Sequence, residues 1–305
     1  MTDTAVTIVI PAYRSDERLV RTLHSVAAQT FPPAVVELSF DAAPGYVPPP
    51  LPHVPGLRVR HQPVQLGWVA HVNRLIEQVS TPYFLMLAHD DSITPRYLRA
   101  AVDALQNDPR AVVAHGAVRN HGLRTDICAT DSIRGEPVER VREFLRRRPT
   151  AAELGWRGVT RSGAIAAGVH LRTRRSDGQF SNTLWSLELL LLGDAISLEG
   201  EYYEKFTDSD GLSRIYHGRN LEERSKMLSD TVANVATLLT DHGVTGPERE
   251  ELVRMWAEWV LTLGGNWNAL TDGPVSDARS LKELRPAIAR FIADLAASMM
   301  TPPRR

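Results

Sequence analysis

The chain lacks most of the features that would fix its chemistry at once. It has one cysteine, Cys128, in 305 residues. That excludes an intramolecular disulfide and fits a reducing, cytoplasmic setting. No Cys pair supports a zinc site, and the ten His are mostly scattered singly in polar context. No apolar run reaches the roughly 18 residues that a membrane span requires. Met1-Thr2-Asp3-Thr4 lacks the basic start of a signal peptide, so none is expected. A formal net charge of −1 gives no electrostatic case for a nucleic-acid partner. Gly163, Gly168 and Gly178 do not form a phosphate loop with Lys and Ser/Thr, and no G-x-S-x-G elbow occurs.

What is present is an ordinary globular composition, 43% hydrophobic and 23% charged, which argues against disorder. The length suits one large α/β domain with an appendage. Val6 to Ile10 is β-branched and apolar apart from Thr7, and it stops at Pro11-Ala12-Tyr13, as a buried strand ending in a turn does. Ser15 is the expected N-cap of a helix running to about Gln29, with Leu19, Leu23 and Val26 at helical spacing. Val35 to Phe40 and Leu57 to His61 read as strands on either side of a Pro-rich loop. Gly67 opens a helix to about Val79, Tyr83 to Ala88 is a fourth strand, Pro95 to Gln106 a helix, and Ala111 to Val118 a fifth strand. This β-α-β-β-α-β-α-β alternation predicts a mostly parallel sheet covered by helices.

Further along, the basic stretch from Arg140 to Arg148 has two readings: a solvated face, or a cationic lid over an anionic ligand. Trp156 to Leu171 reads as strand, turn and strand. Thr183 to Leu192 reads as an apolar helix with Gly193 as its C-cap, and Ala195 to Phe206 as a final strand. From residue 216 on, three amphipathic helices are expected, over Glu222–Asp241, Pro247–Leu263 and Ser276–Met300. They make a helical C-terminal subdomain, 216–305, after an α/β domain, 1–215. Trp256, Trp259 and Trp267 either dock these helices or form a homodimer or acceptor surface.

The chemistry centres on the end of the fourth strand, Leu87-Ala88-His89-Asp90-Asp91-Ser92. Adjacent carboxylates repel, so they need a cation, a hydrogen-bonding cage or water. A hard divalent ion is one solution, and Mg²⁺ often bridges to substrate phosphates. The other is an Asp-rich loop in which Asp91-Ser92 caps the helix that Pro95 helps to open. Strand C-terminal ends are where open α/β sheets bind ligands.

Thr7 through Tyr13, Leu19 through Gln29, Asp41, Leu66-Gly67 with Asn73, and Leu87 through Asp91 together resemble glycosyltransferase family 2. The resemblance covers about residues 5 to 118 and continues more weakly through Arg161, Trp185, Gly193, Tyr203 and Lys205. It implies a GT-A fold and an inverting transfer from a nucleotide sugar to a carbohydrate or glycoconjugate acceptor, as in polysaccharide synthesis, with Mn²⁺ or Mg²⁺. It implies that Pro11, Ala12 and Tyr13 lie against base and ribose. Asp41 would contact the nucleoside, and Gly67 and Asn73 would shape its pocket. His89 and Asp90 would lie near ribose or sugar, and Asp91 would bind the metal. The ion would neutralise the departing diphosphate, and a carboxylate would take the acceptor's proton.

The chain departs from that pattern in two places. The usual base position, 11 residues before Gly193, holds Asn182, so Asp177 or Glu188 must serve. Where some relatives carry a histidine after the last strand stand Thr207, Asp208 and Asp210. Two rival readings follow. One is a nucleotidyltransferase, which would need a Gly-rich basic loop that Pro11-Ala12-Tyr13-Arg14 is not. The other is a nucleotide-sugar-binding scaffold without turnover.

Overall fold

The structure, a computed structural model, describes residues 4–122, 125–147, 154–172, 180–207 and 221–262. Asp177, Asp208, Asp210, Trp267 and the helix expected over Ser276–Met300 lie outside the described residues.

Strands β1 (Val6–Ala12), β2 (Val35–Phe40), β3 (Leu57–His61) and β4 (Tyr83–Met86) form a parallel array in the order β3-β2-β1-β4. Helix α1 (Glu17–Ala27) links β1 to β2, and α2 (Trp68–Ile76) links β3 to β4. Asp16, not Ser15, caps α1: its carboxylate accepts the Arg18 N–H at 2.9 Å. Ser15 instead bonds the Tyr46 hydroxyl at 2.8 Å.

Beyond β4 the sheet is mixed. After β5 (Ser92–Ile93) and α3 (Tyr97–Asn107) comes the long β6 (Ala111–Gly122), with the short β7 (Ile127–Cys128) against it. Ser92 is thus a strand residue and caps no helix. Residues 154–166 fold as α5 (Leu154–Arg157), β8 (Val159–Arg161) and α6 (Gly163–Ala166), not as strand, turn and strand. β8 enters antiparallel between β4 and β6. β9 (Asp194–Thr207) runs parallel to β6 and carries β5 on its far side. The described residues thus hold one nine-stranded mixed sheet.

Side chains alternate across the strands and feed two cores. Val6, Ile8 and Ile10 join Leu19 and Leu23 of α1 and Leu98 and Val102 of α3 on one face. Val9, Phe84 and Met86 join α2 on the other. That second core extends through α4 (Pro137–Arg146) and α7 (Ser181–Leu192) to α8 (Leu221–Asp241) and α9 (Gly246–Thr262). Helix α7 is buried almost all round, as its run of leucines predicts. Trp256 and Trp259 stack at 5.0 Å and are 0% and 2% exposed. They dock the helices, so a partner surface cannot rest on them.

Three arginines of the basic stretch, Arg140, Arg142 and Arg147, have internal partners, whereas Arg146 is 59% exposed and Arg148 lies outside the described residues. Arg140, 5% exposed, donates Nε to the Leu190 carbonyl at 2.6 Å and Nη2 to Leu191 at 3.3 Å, and it pairs with Asp194 at 3.2 Å. It satisfies the orphan carbonyls at the end of α7. Arg142 grips Glu251 of α9 with bonds of 2.9 and 2.7 Å. Arg147 pairs with Glu143 at 2.7 Å. Gly193 does not adopt the left-handed cap: its φ is −168°. Its need is space, because a Cβ there would lie 2.6 Å from the Arg110 carbonyl oxygen.

Candidate active site

Two clusters stand at the C-terminal edge of β1, β2 and β4. The first is built on Asp41, just past β2 and 4% exposed. Its N–H donates to the Ala12 carbonyl at 2.8 Å, which ties it to β1. Its carboxylate accepts the N–H groups of Ala42 at 3.0 Å, Leu66 at 2.8 Å and Gly67 at 2.8 Å. Gly67 has φ +76°, a left-handed value that glycine adopts freely, and it opens α2. Asp41 thus occupies the N-terminus of α2 itself, where a helix favours negative charge. Beneath it, His71 Nε2 lies 2.8 Å from Ser39 Oγ, and burial holds the imidazole pKa below its ordinary value. A cleft of about 340 Å³ opens beside Asp41, lined among others by Tyr46, His61 and Gln62.

Pro11 and Ala12 end β1 and bring Tyr13 to this edge, 40% exposed. Arg14 follows at φ +47° with its guanidinium 5.4 Å from the Tyr13 ring. A non-glycine residue in that region stores backbone strain, a feature that clusters at functional sites.

The second cluster is the acidic turn. Asp91 N–H donates to the Ala88 carbonyl at 3.2 Å, closing a β-turn with His89 and Asp90 as its central residues. The turn is gripped from three sides. Thr22 of α1 donates to the carbonyls of His89 at 2.9 Å and Asp91 at 2.6 Å. Arg21 donates to the Asp90 carbonyl at 2.8 Å and lies 3.5 Å above the Phe206 ring. The Ala88 N–H donates to the Tyr203 hydroxyl at 3.2 Å.

The Asp91 carboxylate, on a residue 3% exposed, has a partner at each oxygen. Oδ2 meets Arg157 Nη1 at 2.7 Å and Oδ1 accepts the Phe206 N–H at 2.9 Å. Burial pushes its pKa up, against the pull of Arg157. The side chains of His89 and Asp90 are half-buried at the tip, with no hydrogen-bond partner among the described residues. No group of three metal-ligating side chains occurs among those residues. The turn therefore offers a hard ion one protein carboxylate, on Asp90. That fits Mg²⁺-type sites, where one or two carboxylates act with substrate phosphates and waters.

The other expected site residues go elsewhere. Asn73 spends its amide on Leu171, donating to the carbonyl at 2.9 Å and accepting the N–H at 2.8 Å. Glu188, 1% exposed on α7, takes bonds from Arg172 at 2.6 Å and His242 at 3.3 Å. Burial alone would raise its pKa; His242 and Arg172 outweigh that and hold it below the usual carboxylate range. Asn182 is half-buried in the first turn of α7.

Arg21, Thr22, Arg157 and Phe206 escape sequence reasoning, since each acts across 60 residues or more. A partial signal existed at Arg157, which stands between Gly155 and Gly158. A Cβ at Gly155 would lie 2.8 Å from Ser186 of α7, and one at Gly158 would meet Val113 and Ala114 of β6.

The fold has known counterparts. The family model described as Glycosyl transferase family 2 matches residues 7–165, just over half of the chain. No curated protein sequence matches. Among solved structures, TarS 1-349 of S. aureus is similar with a TM-score of 0.64 at 12% identity, covering 97% of this chain and 81% of that one. Its complex with UDP-GlcNAc gives 0.56 at 13%, covering 97% and 90%. The mannosyltransferase PcManGT from Pyrobaculum calidifontis, in complex with GDP-Man and Mn²⁺, gives 0.53 at 14%, covering 96% and 85%. With parallel strands converging on an acidic turn and a family match over that same region, the chain belongs to glycosyl transferase family 2 and is a glycosyltransferase of GT-A fold.

Proposed function

We propose that the chain transfers a sugar from a nucleoside-diphosphate donor to an acceptor hydroxyl, with inversion at the anomeric carbon and with a divalent ion as cofactor. The observation that carries this is the acidic turn, whose backbone and second acid are committed while the side chains of His89 and Asp90 are left at the tip. We assign the metal role to Asp90 in place of Asp91, because the Asp91 carboxylate is buried and ion-paired with Arg157, whereas Asp90 is half-buried at the tip. Tyr13 and the cleft beside Asp41 are assigned to ribose and base. Asp41 fixes Leu66 and Gly67, so it shapes that cleft through the backbone. The relatives bound to UDP-GlcNAc and to GDP-Man with Mn²⁺ agree with this reading.

In the transfer, the acceptor oxygen attacks the anomeric carbon as the bond to the diphosphate oxygen breaks. The leaving group gains negative charge, which a divalent ion, when bound, would offset. A base must take the hydroxyl proton. Glu188 is committed to Arg172 and His242, so the role is assigned to Asp177. The acceptor is assigned to glycan or glycoconjugate chemistry, and the setting to the cytoplasm. Asn182 at the usual base position favours a second reading, donor binding without turnover.

A thermal-shift panel of UDP-, GDP-, TDP- and CDP-sugars, with and without Mn²⁺, tests the proposal. A ligand that binds only the folded state raises the melting point by mass action. One nucleotide stabilising wild type only with metal, and not Asp90→Ala, is expected. No stabilisation by any member would sink the proposal. Release of nucleoside diphosphate by wild type but not Asp177→Asn separates enzyme from binder.

A further inference from the structure

Among the groups that hold the acidic turn, Arg157 reaches it from 66 residues away in the chain. Arg157 is 7% exposed and ends the four-residue α5. Its guanidinium meets Asp91 Oδ2 at 2.7 Å and lies 4.4 Å over the Tyr203 ring, whose hydroxyl accepts the Ala88 N–H. Its carbonyl accepts the buried Tyr97 hydroxyl at 2.8 Å. Gly155 and Gly158 let α5 settle between α7 and β6 closely enough for this reach. At the other oxygen of Asp91, the Phe206 N–H donates to Oδ1, while the Phe206 ring has the Arg21 guanidinium at 3.5 Å and the His121 ring stacked at 4.6 Å.

We propose that Arg157 is a positioning residue for the donor: through Asp91 it fixes the turn so that Asp90 faces the ligand. This rests on the nucleotide-sugar reading above. The two central residues of a β-turn project from its tip, and the orientation of that tip is set by what holds its corners. One corner, Ala88, is held by Tyr203. The other, Asp91, is held at its carbonyl by Thr22 and at its carboxylate by Arg157 and Phe206, so Arg157 sets how the side-chain end of that corner sits. Removal of the guanidinium leaves a buried carboxylate with a single N–H partner among the described residues. Such a group swings toward water, and that movement shifts Asp90 beside it. Lysine would keep the charge but not the planar group that both pairs with Asp91 and covers Tyr203.

The test uses the full chain. Binding of UDP, GDP, TDP and CDP is measured by calorimetry with and without Mn²⁺, for wild type, Arg157→Lys, Arg157→Met and Asp91→Asn, with melting curves for each. In Arg157→Met and Asp91→Asn, the metal-dependent gain in affinity should fall at least ten-fold, while metal-free affinity stays within about two-fold. Arg157→Lys should recover part of the gain. The double variant should lose no more than Asp91→Asn alone, since the two residues act in series. Should the Met variant not fold, Arg157→Lys and Asp91→Asn carry the comparison. A metal-dependent gain within two-fold of wild type in folded variants would overturn the proposal. So would an equal loss with and without Mn²⁺, which marks a role in stability alone. If wild type binds none of the four diphosphates, the donor-site reading itself fails, and this inference with it.

Discussion

The side-chain amide of Asn73 pairs with the backbone of Leu171 as a neighbouring strand would, giving one hydrogen bond and receiving one across 98 residues. Leu171 is 1% exposed, so neither backbone group has ready access to water. Asn73→Ala should cost about 1–3 kcal/mol, the penalty for unpaired buried polar groups. Asn73→Asp keeps the acceptor and loses the donor, so it should fall between. Urea unfolding of the three proteins measures this. Equal stability of wild type and Asn73→Ala would contradict it.

Asp90→Asn should separate activity from stability. The side chain has no hydrogen-bond partner among the described residues, so the folding free energy should change by no more than about 0.5 kcal/mol. Metal-dependent nucleotide binding should be lost. A large drop in melting point would show that Asp90 is structural.

Asp41→Ala removes the acceptor for three N–H groups, two of them at the start of α2. Loss of such a cap costs typically about 1 kcal/mol and up to about 2. Nucleotide affinity should fall as well, because residues 66 and 67 lose their fixed place. Asp41→Asn should cost less on both counts. Chemical denaturation and calorimetry on the same samples test the pairing of the two effects.

Acid should weaken the fold through His115. This imidazole on β6 is 1% exposed, its Nε2 has no partner among the described residues, and burial pushes its pKa down to about 4. An unfolded histidine protonates near pH 6.5. Between those values the unfolded chain holds a proton that the folded chain refuses. The contribution is therefore complete above about pH 6.5, and it is lost as pH falls toward 4. The full difference is on the order of 3 kcal/mol. Melting curves from pH 7 to 4 should show the decline, and His115→Leu should flatten it. An unchanged slope in that variant would assign the decline to other groups.

The C-terminal helices should unfold together with the sheet. Trp256 lies in the same core as Phe84 and Trp185, so Trp256→Ala should cost about 3–5 kcal/mol. Arg142→Ala breaks ion pairs with Glu251 and Glu139, which are 44% and 61% exposed, and should cost about 1 kcal/mol or less. Circular dichroism and tryptophan fluorescence should report a single transition in both. Two transitions would mean that the helices fold as a separate unit.

Where local chemistry decides, the sequence was readable. Val35–Phe40 and Leu57–His61 appear as strands with the expected ends, because prolines bound them and a sheet accepts their pattern. The turn at Tyr13, the cap at Gly67 and the acidic turn stand at strand ends, where alternation puts them. Partnership across the chain was not readable. Asp90 and Asp91 differ only in what lies beside them, and that is Arg157 and Phe206, 66 and 115 residues away. Arg140 looked like part of a basic face until Asp194 and the end of α7 came beside it. Residues 154–166 form helix and strand segments of three or four residues, too short for any periodicity to register, and their course is fixed by packing at Gly155 and Gly158.

The outer edge of β3 has a bearing on how the protein behaves in concentrated solution. A strand with only one neighbour offers its free backbone groups to any other extended chain. Here the edge strand is five residues long, follows Pro50, Pro52 and Pro55, and carries Arg58 and Arg60, both more than half exposed. Glu37 of β2 holds the two guanidinium groups at 3.2 and 3.1 Å, beside that border. A second molecule approaching edge to edge would meet positive charge and would have to strip water from it. The same two arginines would keep crowded copies from zipping into fibres, and their replacement by valine should make the protein precipitate.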